Sequence, residues 1–232
     1  MKSGNYLIYD CGANATTVED ELDLLWGYLQ DAIADVKAPS TSAAFNAFFK
    51  ANGDKSMVQK VMKNIADGAA VQMISSFFGE TTGTPAIFCY NRNESPPAPV
   101  DINNVVSVWR KLTVNVCDDR KRIASWWKSE AWFALCEKYW AKPVEPPVGA
   151  CFEPDPGQTA FSRNGADIRE TRVYTLLHES AHYYIQAATQ SNNLIDVYTV
   201  DDVIDLTADE ARMNAMNYVY YVYCELRRRC GC

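Results

Sequence analysis

The chain has 232 residues, 48% of them hydrophobic and 22% charged, with a formal net charge of −7. That is globular composition, long enough to bury a sizeable core, and its acidic balance excludes a nucleic-acid binder built on a basic stripe. The compact basic clusters, Arg120, Lys121 and Arg122 and then Arg227, Arg228 and Arg229, read as solvated surface, and no apolar run approaches the ~18 residues of a membrane span.

The first residues, MKSGNYLIYD, lack the apolar core of a signal peptide, so an exported protein would carry its leader ahead of them. From Val18 to Val36 the residues Leu22, Leu25, Trp26, Leu29, Ile33 and Val36 recur at helical steps. Thr16 or Thr17 stands as cap, and Pro39 stops the helix. Shorter helices are predicted over Ser42–Lys50 and Lys55–Ala66. PAIFCY (85–90) and KLTVNVC (111–117) read as short strands, with the stiff SPPAP loop (95–99) between them. Ser125–Tyr139 is aromatic-rich and reads as a helix. The proline-rich stretch 141–157 is expected to be a long surface loop held by Cys151. Glu170–Thr189 is a strong helix, with Val173, Leu176, Leu177, Ala181, Tyr184, Ile185 and Ala188 on its apolar side. A last helix is expected to start at Thr207, capped reciprocally with Glu210, and to run to Arg229; its run of tyrosines reads as packing. No internal repeat is present.

Eight cysteines are spread over the chain at positions 11, 89, 117, 136, 151, 224, 230 and 232. There is no close CxxC pair and no histidine near them, which argues against a cysteine zinc site. The even number suits up to four disulfides and an oxidising compartment, and sequons stand at Asn14 and Asn93.

The two histidines of the chain both lie in HESAH, residues 178–182. On a helix His178 and His182 project from one face, one turn apart, and can grip one metal ion. Glu179 sits about 100° round, placed to reach a metal-activated water rather than the ion. This spacing suits zinc-assisted hydrolysis, with Glu179 as the general base. With two histidines in the whole chain, finding them four apart around a glutamate has a chance probability on the order of 10⁻³, against the ordinary helix face that is the plainer reading. A third ligand must be a carboxylate. Asp196, Asp201, Asp202, Asp205, Asp209 and Glu210 are the candidates downstream. Asp196, fourteen residues beyond His182, ranks first; Glu210 and Asp201 follow, Glu210 being engaged as a cap. Tyr198, two residues on, could donate to a developing oxyanion or simply pack.

These residues resemble the aspzincin metallopeptidases, the deuterolysin and peptidyl-Lys endopeptidase family of fungi. TLLHESAH (175–182) matches the HExxH motif of that family. DVYT (196–199) stands where its GTxDxxYG belongs, and NAMNY (214–218) where its NADNY belongs. Cys11 ahead of a long helix, FNAFFK, and Cys117 and Cys136 around a Trp-rich region fall in similar order. The resemblance implies that Asp196 completes the zinc site and that Tyr198 assists at the oxyanion. The chain departs from the pattern in having one residue rather than two between Asp196 and Tyr198, Thr199 in place of the glycine, and Met216 in place of the aspartate. An apolar Met216 speaks against a preference for lysine after the cut.

The expectation is therefore an α+β, mostly helical, zincin-like metallopeptidase domain with a small sheet, stabilised by disulfides. Residues 1–232 form one catalytic domain: a helical and β part over 1–140, the loop 141–157, and the two site helices within 170–229. It would be a secreted, extracellular, monomeric zinc endopeptidase with one zinc per chain, acting on peptide or protein substrates and on neither nucleic acid nor membranes. The alternative is a secreted zinc-binding or effector-like interaction protein, derived from a peptidase, with little proteolytic activity.

Overall fold

The computed structural model describes residues 5–75, 79–90, 104–117, 122–126, 132–145, 171–191 and 193–230. The loop expectations at 95–99 and 146–157, the sequon at Asn93, and Cys151 and Cys232 lie outside the described residues.

Strand β1 (Leu7–Tyr9) leads through a tight turn into the long helix α1 (Ala15–Lys37). The turn is shaped by Asp10 and Gly12, both with positive φ. It replaces the predicted threonine cap: Asn14 occupies the cap position and no side chain caps the helix. Helices α2 (Ala43–Phe49) and α3 (Lys55–Asp67) start where side-chain caps exist. Ser42 accepts from the Phe45 N–H and Asp54 from the Met57 N–H. An antiparallel hairpin follows, β2 (Val71–Ser75) and β3 (Gly79–Gly83), which the sequence pattern does not announce. Then come β4 (Ala86–Cys89), α4 (Val105–Cys117), β5 (Ala124–Trp126), β6 (Trp132–Leu135) and the one-turn α5 (Glu137–Trp140).

Two readings fail in this middle region. KLTVNVC lies in α4, not in a strand. Its β-branched residues mimic alternation, but Val106, Trp109, Thr113, Val116 and Cys117 recur at helical steps and turn toward the sheet, so packing overrides β propensity. Asn104 caps this helix, its Oδ1 accepting from the Val106 and Ser107 N–H groups. Conversely, the described residues of Ser125–Tyr139 do not form one helix: they belong to β5, β6 and α5. Along β6 the side chains alternate, Phe133 and Leu135 joining the main core while Trp132 and Ala134 face α4. That is the two-residue period of a strand.

The sheet runs β1-β4-β6-β5, with β1, β4 and β6 parallel and β5 antiparallel at one edge. Both faces of β4 and β6 are covered, which is why these strands are apolar throughout. On the side away from α4 lies the main core, where α1, α3, α6 (Arg172–Thr189) and α9 (Ala215–Cys230) pack on one another. Among the described residues two disulfides staple the layers. Cys11–Cys89 joins the start of α1 to the end of β4, and Cys117–Cys136 joins α4 to β6. A cross-link closing 78 residues contributes about 4.5 kcal/mol by restricting the unfolded chain.

The result is the expected class: α+β, mostly helical, with a small sheet and disulfide staples. The last helix differs from expectation. The capping box of Thr207 and Glu210 is present, but it opens only the short α8 (Ala208–Ala211). The chain breaks at Arg212–Asn214 before α9 begins, and a further short helix, α7 (Val200–Asp205), precedes α8.

Candidate metal centre and cleft

Helix α6 is central and buried on nearly every side. Three tyrosine hydroxyls fix its height and rotation. Tyr6 donates to the Ile65 carbonyl and accepts from the Ser180 hydroxyl, while Tyr183 donates to the Gly83 carbonyl and Tyr184 to the Ala69 carbonyl. At its N-terminus Arg172 pairs with the buried Glu21 of α1 at 2.9 Å, and Tyr139 of α5 donates to the same carboxylate. Burial raises the Glu21 carboxyl above its ordinary range, while Tyr139 and Arg172 act against that shift. A helix held this firmly presents its one open face without freedom to roll.

That face carries the HESAH residues. His178 Nε2 and His182 Nε2 stand 3.0 Å apart, their rings almost perpendicular. Asp196 Oδ1 lies 4.0 Å from the first and 3.6 Å from the second. A triangle with these sides has a centre about 2.1 Å from each corner, which is the bond length zinc makes to imidazole nitrogen and carboxylate oxygen. The three donors thus fit one ion, and they are the one such group among the described residues. Burial first, and then the neighbouring His182, hold His178 down to about 3, while Asp196 pulls the other way. The imidazole is therefore in its neutral, ligating form at any ordinary pH.

The sign of the resulting pH dependence follows. A histidine whose folded value lies below its ordinary 6.5 adds stability that is present above that value and lost as the pH falls from 6.5 through about 3. Urea unfolding of the metal-free protein should show this loss, and His178→Gln should flatten that part of the profile. Parallel profiles for the two proteins would remove the burial argument.

Three of the other candidate carboxylates, Glu210, Asp209 and Asp202, have partners of their own. Glu210 accepts from the backbone N–H and hydroxyl of Thr207, which keep its carboxyl below the usual range. Asp209 pairs with Arg212 at 3.1 Å, and the Thr199 hydroxyl donates to the Asp202 carboxylate at the start of α7.

Asp196 owes its position to residues that sequence reasoning missed. The buried side chain of Asn214 brackets Val197, accepting from its N–H and donating to its carbonyl. It also donates to Asn217 Oδ1, and Asn217 in turn donates to the Phe48 carbonyl. The Ile195 N–H donates to the Met213 carbonyl, and Tyr220 donates to the Tyr198 carbonyl at 2.6 Å. The break between α8 and α9 thus has a purpose: the opened backbone at Met213 and Asn214 pairs with the loop carrying Asp196. Asn214→Ala leaves both polar groups of Val197 without this partner. It should weaken zinc binding by about 10–100-fold, the usual effect of losing an outer partner of a ligand, in chelator-competition titrations. Unchanged affinity would show that the loop holds its shape without Asn214.

Tyr198 also reaches the site. Its ring leans on His178 at 5.7 Å, and its hydroxyl donates to Asp196 Oδ2 at 2.6 Å, leaving Oδ1 toward the histidines. Glu179, 7% exposed, borders two cavities that meet at Ala124, His178, Glu179 and Tyr198. One, ≈ 410 Å³, is lined by both histidines, Asp196 and Leu194; the other, ≈ 230 Å³, lies toward α9. Together they make a cleft running past the three donors, with the edge strand β5 along one side. Arg122, expected as plain surface, sits exposed on the rim of the larger cavity, its guanidinium donating to Ser125 Oγ.

No family model matches this chain, and no curated protein matches it. Among solved structures it is similar to a zinc peptidase from Grifola frondosa, with 12% identity and a TM-score of 0.47 over 89% of this chain and 90% of that chain. A likeness of that size leaves the activity to be argued from the residues of this chain. No described helix is long and apolar enough to cross a membrane.

Proposed function

We propose that this protein is a secreted zinc-dependent endopeptidase. One observation carries the reading: three donor atoms spaced for a single zinc ion, on a cleft that the buried carboxylate of Glu179 also lines. His178, His182 and Asp196 would hold the ion. When bound, zinc polarises a water molecule and the scissile carbonyl. Glu179 takes the proton from the attacking water and delivers it to the leaving amine as the carbon–nitrogen bond breaks. Its low exposure keeps bulk water from competing for that proton. Tyr198 turns its hydroxyl from Asp196 to the carbonyl oxygen as charge gathers there. Among the described strands β5 pairs on one side only, so its outer edge offers backbone hydrogen bonds to an extended peptide in the cleft. The two disulfides among the described residues support an extracellular site of action.

The test is hydrolysis of a mixed library of internally quenched peptides by protein carrying zinc. Cleavage should stop when a chelator strips the metal and return when zinc is restored. Stoichiometric zinc with no cleavage of any peptide would instead identify a zinc-binding protein without proteolytic activity.

A further inference from the structure

The loop that carries Asp196 is held through its backbone. The Ile195 N–H is bonded to the Met213 carbonyl, both polar groups of Val197 to the Asn214 side chain, and the Tyr198 carbonyl to the Tyr220 hydroxyl. None of these bonds reaches the carboxylate. The side chain of Asp196 is 47% exposed, so packing does not fix its torsions, and rotation about them takes Oδ1 away from His178 and His182. Among the described residues one hydrogen bond closes that freedom: the Tyr198 hydroxyl donates to Asp196 Oδ2 at 2.6 Å. A donor on an ionised carboxylate makes a strong bond. With Oδ2 taken, Oδ1 is the oxygen left 3.6 and 4.0 Å from the two imidazole nitrogens.

Tyr198 is itself anchored. Its ring lies 5.7 Å from that of His178 at a 31° tilt, and its backbone is tied to Tyr220, whose ring stacks on Phe48. The phenol thus bridges the first histidine and the carboxylate across the mouth of the metal centre. It carries one hydrogen, which serves Asp196 or a substrate carbonyl at a given moment, not both. We infer that Tyr198 is a positioning residue of the metal centre: by fixing the Asp196 carboxylate it sets how tightly zinc is held before any peptide arrives. The inference deepens the proposed reading and rests on its three ligands, not on cleavage.

Tyr198→Phe removes the hydroxyl and leaves the ring on His178. Chelator competition should show zinc bound about tenfold or more weakly, within the range typical of an outer partner of a ligand. With cobalt in place of zinc, the visible absorption bands should shift, because the carboxylate that completes the ligand set is no longer oriented. Urea unfolding of the metal-free protein should change little, since Tyr198 is 42% exposed. In an Asp196→Ala background the same substitution should leave zinc affinity where it was, because the carboxylate through which Tyr198 acts is gone. Equal weakening in both backgrounds would overturn the inference by making Tyr198 a general support of the site. Zinc affinity and a cobalt spectrum equal to the parent's would overturn it too, even with turnover reduced, since the hydroxyl would then act on substrate alone. Neither result touches the hydrolase reading, which the parent protein's own turnover decides.

Discussion

Glu179→Gln is expected to keep zinc at one per chain and to lower peptide hydrolysis by about 10²–10⁴-fold, the contribution of a positioned general base. Glutamine has the shape of glutamate and none of its basicity. Glu179 is on α6 between the two histidines but takes no part in the three-atom donor group, so its replacement leaves the proposed ligands untouched. Its side chain is 7% exposed in a helix clamped by Tyr6, Tyr183 and Tyr184, which makes a rearrangement that could hide the effect costly. The measurement pairs metal analysis with turnover of one quenched peptide. Full turnover with the zinc retained would remove Glu179 as the base; loss of both zinc and turnover would make it a structural residue of the metal centre.

Asp196→Ala is expected to weaken zinc by more than about 100-fold, beyond the range typical of an outer partner. The two histidines alone leave the third corner of the donor triangle to solvent. The side chain of Asp196 is 47% exposed, so its removal creates no cavity, and unfolding by urea should change little. That separates it from Asn214→Ala, which removes a fully buried side chain and affects both stability and affinity. If Asp196→Ala bound zinc as tightly as the parent, the third ligand would have to come from elsewhere in the chain.

The parts of the fold that could be read in advance are those fixed by local sequence. Helices α1, α2, α3 and α6 carry apolar residues at regular helical steps, and two of them have side-chain caps within reach of their own first turn. Short apolar runs do not carry that information. The alternating Leu112, Val114 and Val116 in α4 and the aromatic run in β6 were each compatible with the other structure. What decides is the layer against which they pack: α4 lies over one face of the sheet while β6 is inside it. The break ahead of α9 was equally hidden. It depends on Asn214 bonding to Val197, seventeen residues earlier, a contact that no local pattern encodes.

The candidate site divides in the same way. His178, Glu179 and His182 stand out because their spacing is that of one helical turn. Asp196 could only be ranked, since loop length allows several acids to return to α6. The structure places Asp196 Oδ1 beside the histidines and engages Glu210 and Asp209 in other contacts. Asn214 and Asn217 stand in the NAMNY stretch, but neither they nor Tyr220 could be read as supports of the metal loop, because buried polar residues at the start of a helix look like ordinary helix composition until their partners are known.

A crystal grown with zinc, with diffraction recorded on both sides of the zinc absorption edge, tests the metal centre most directly. One anomalous peak should lie between His178 Nε2, His182 Nε2 and Asp196 Oδ1, about 2.1 Å from each. The absence of a peak there, or a peak bound by other residues, would contradict it.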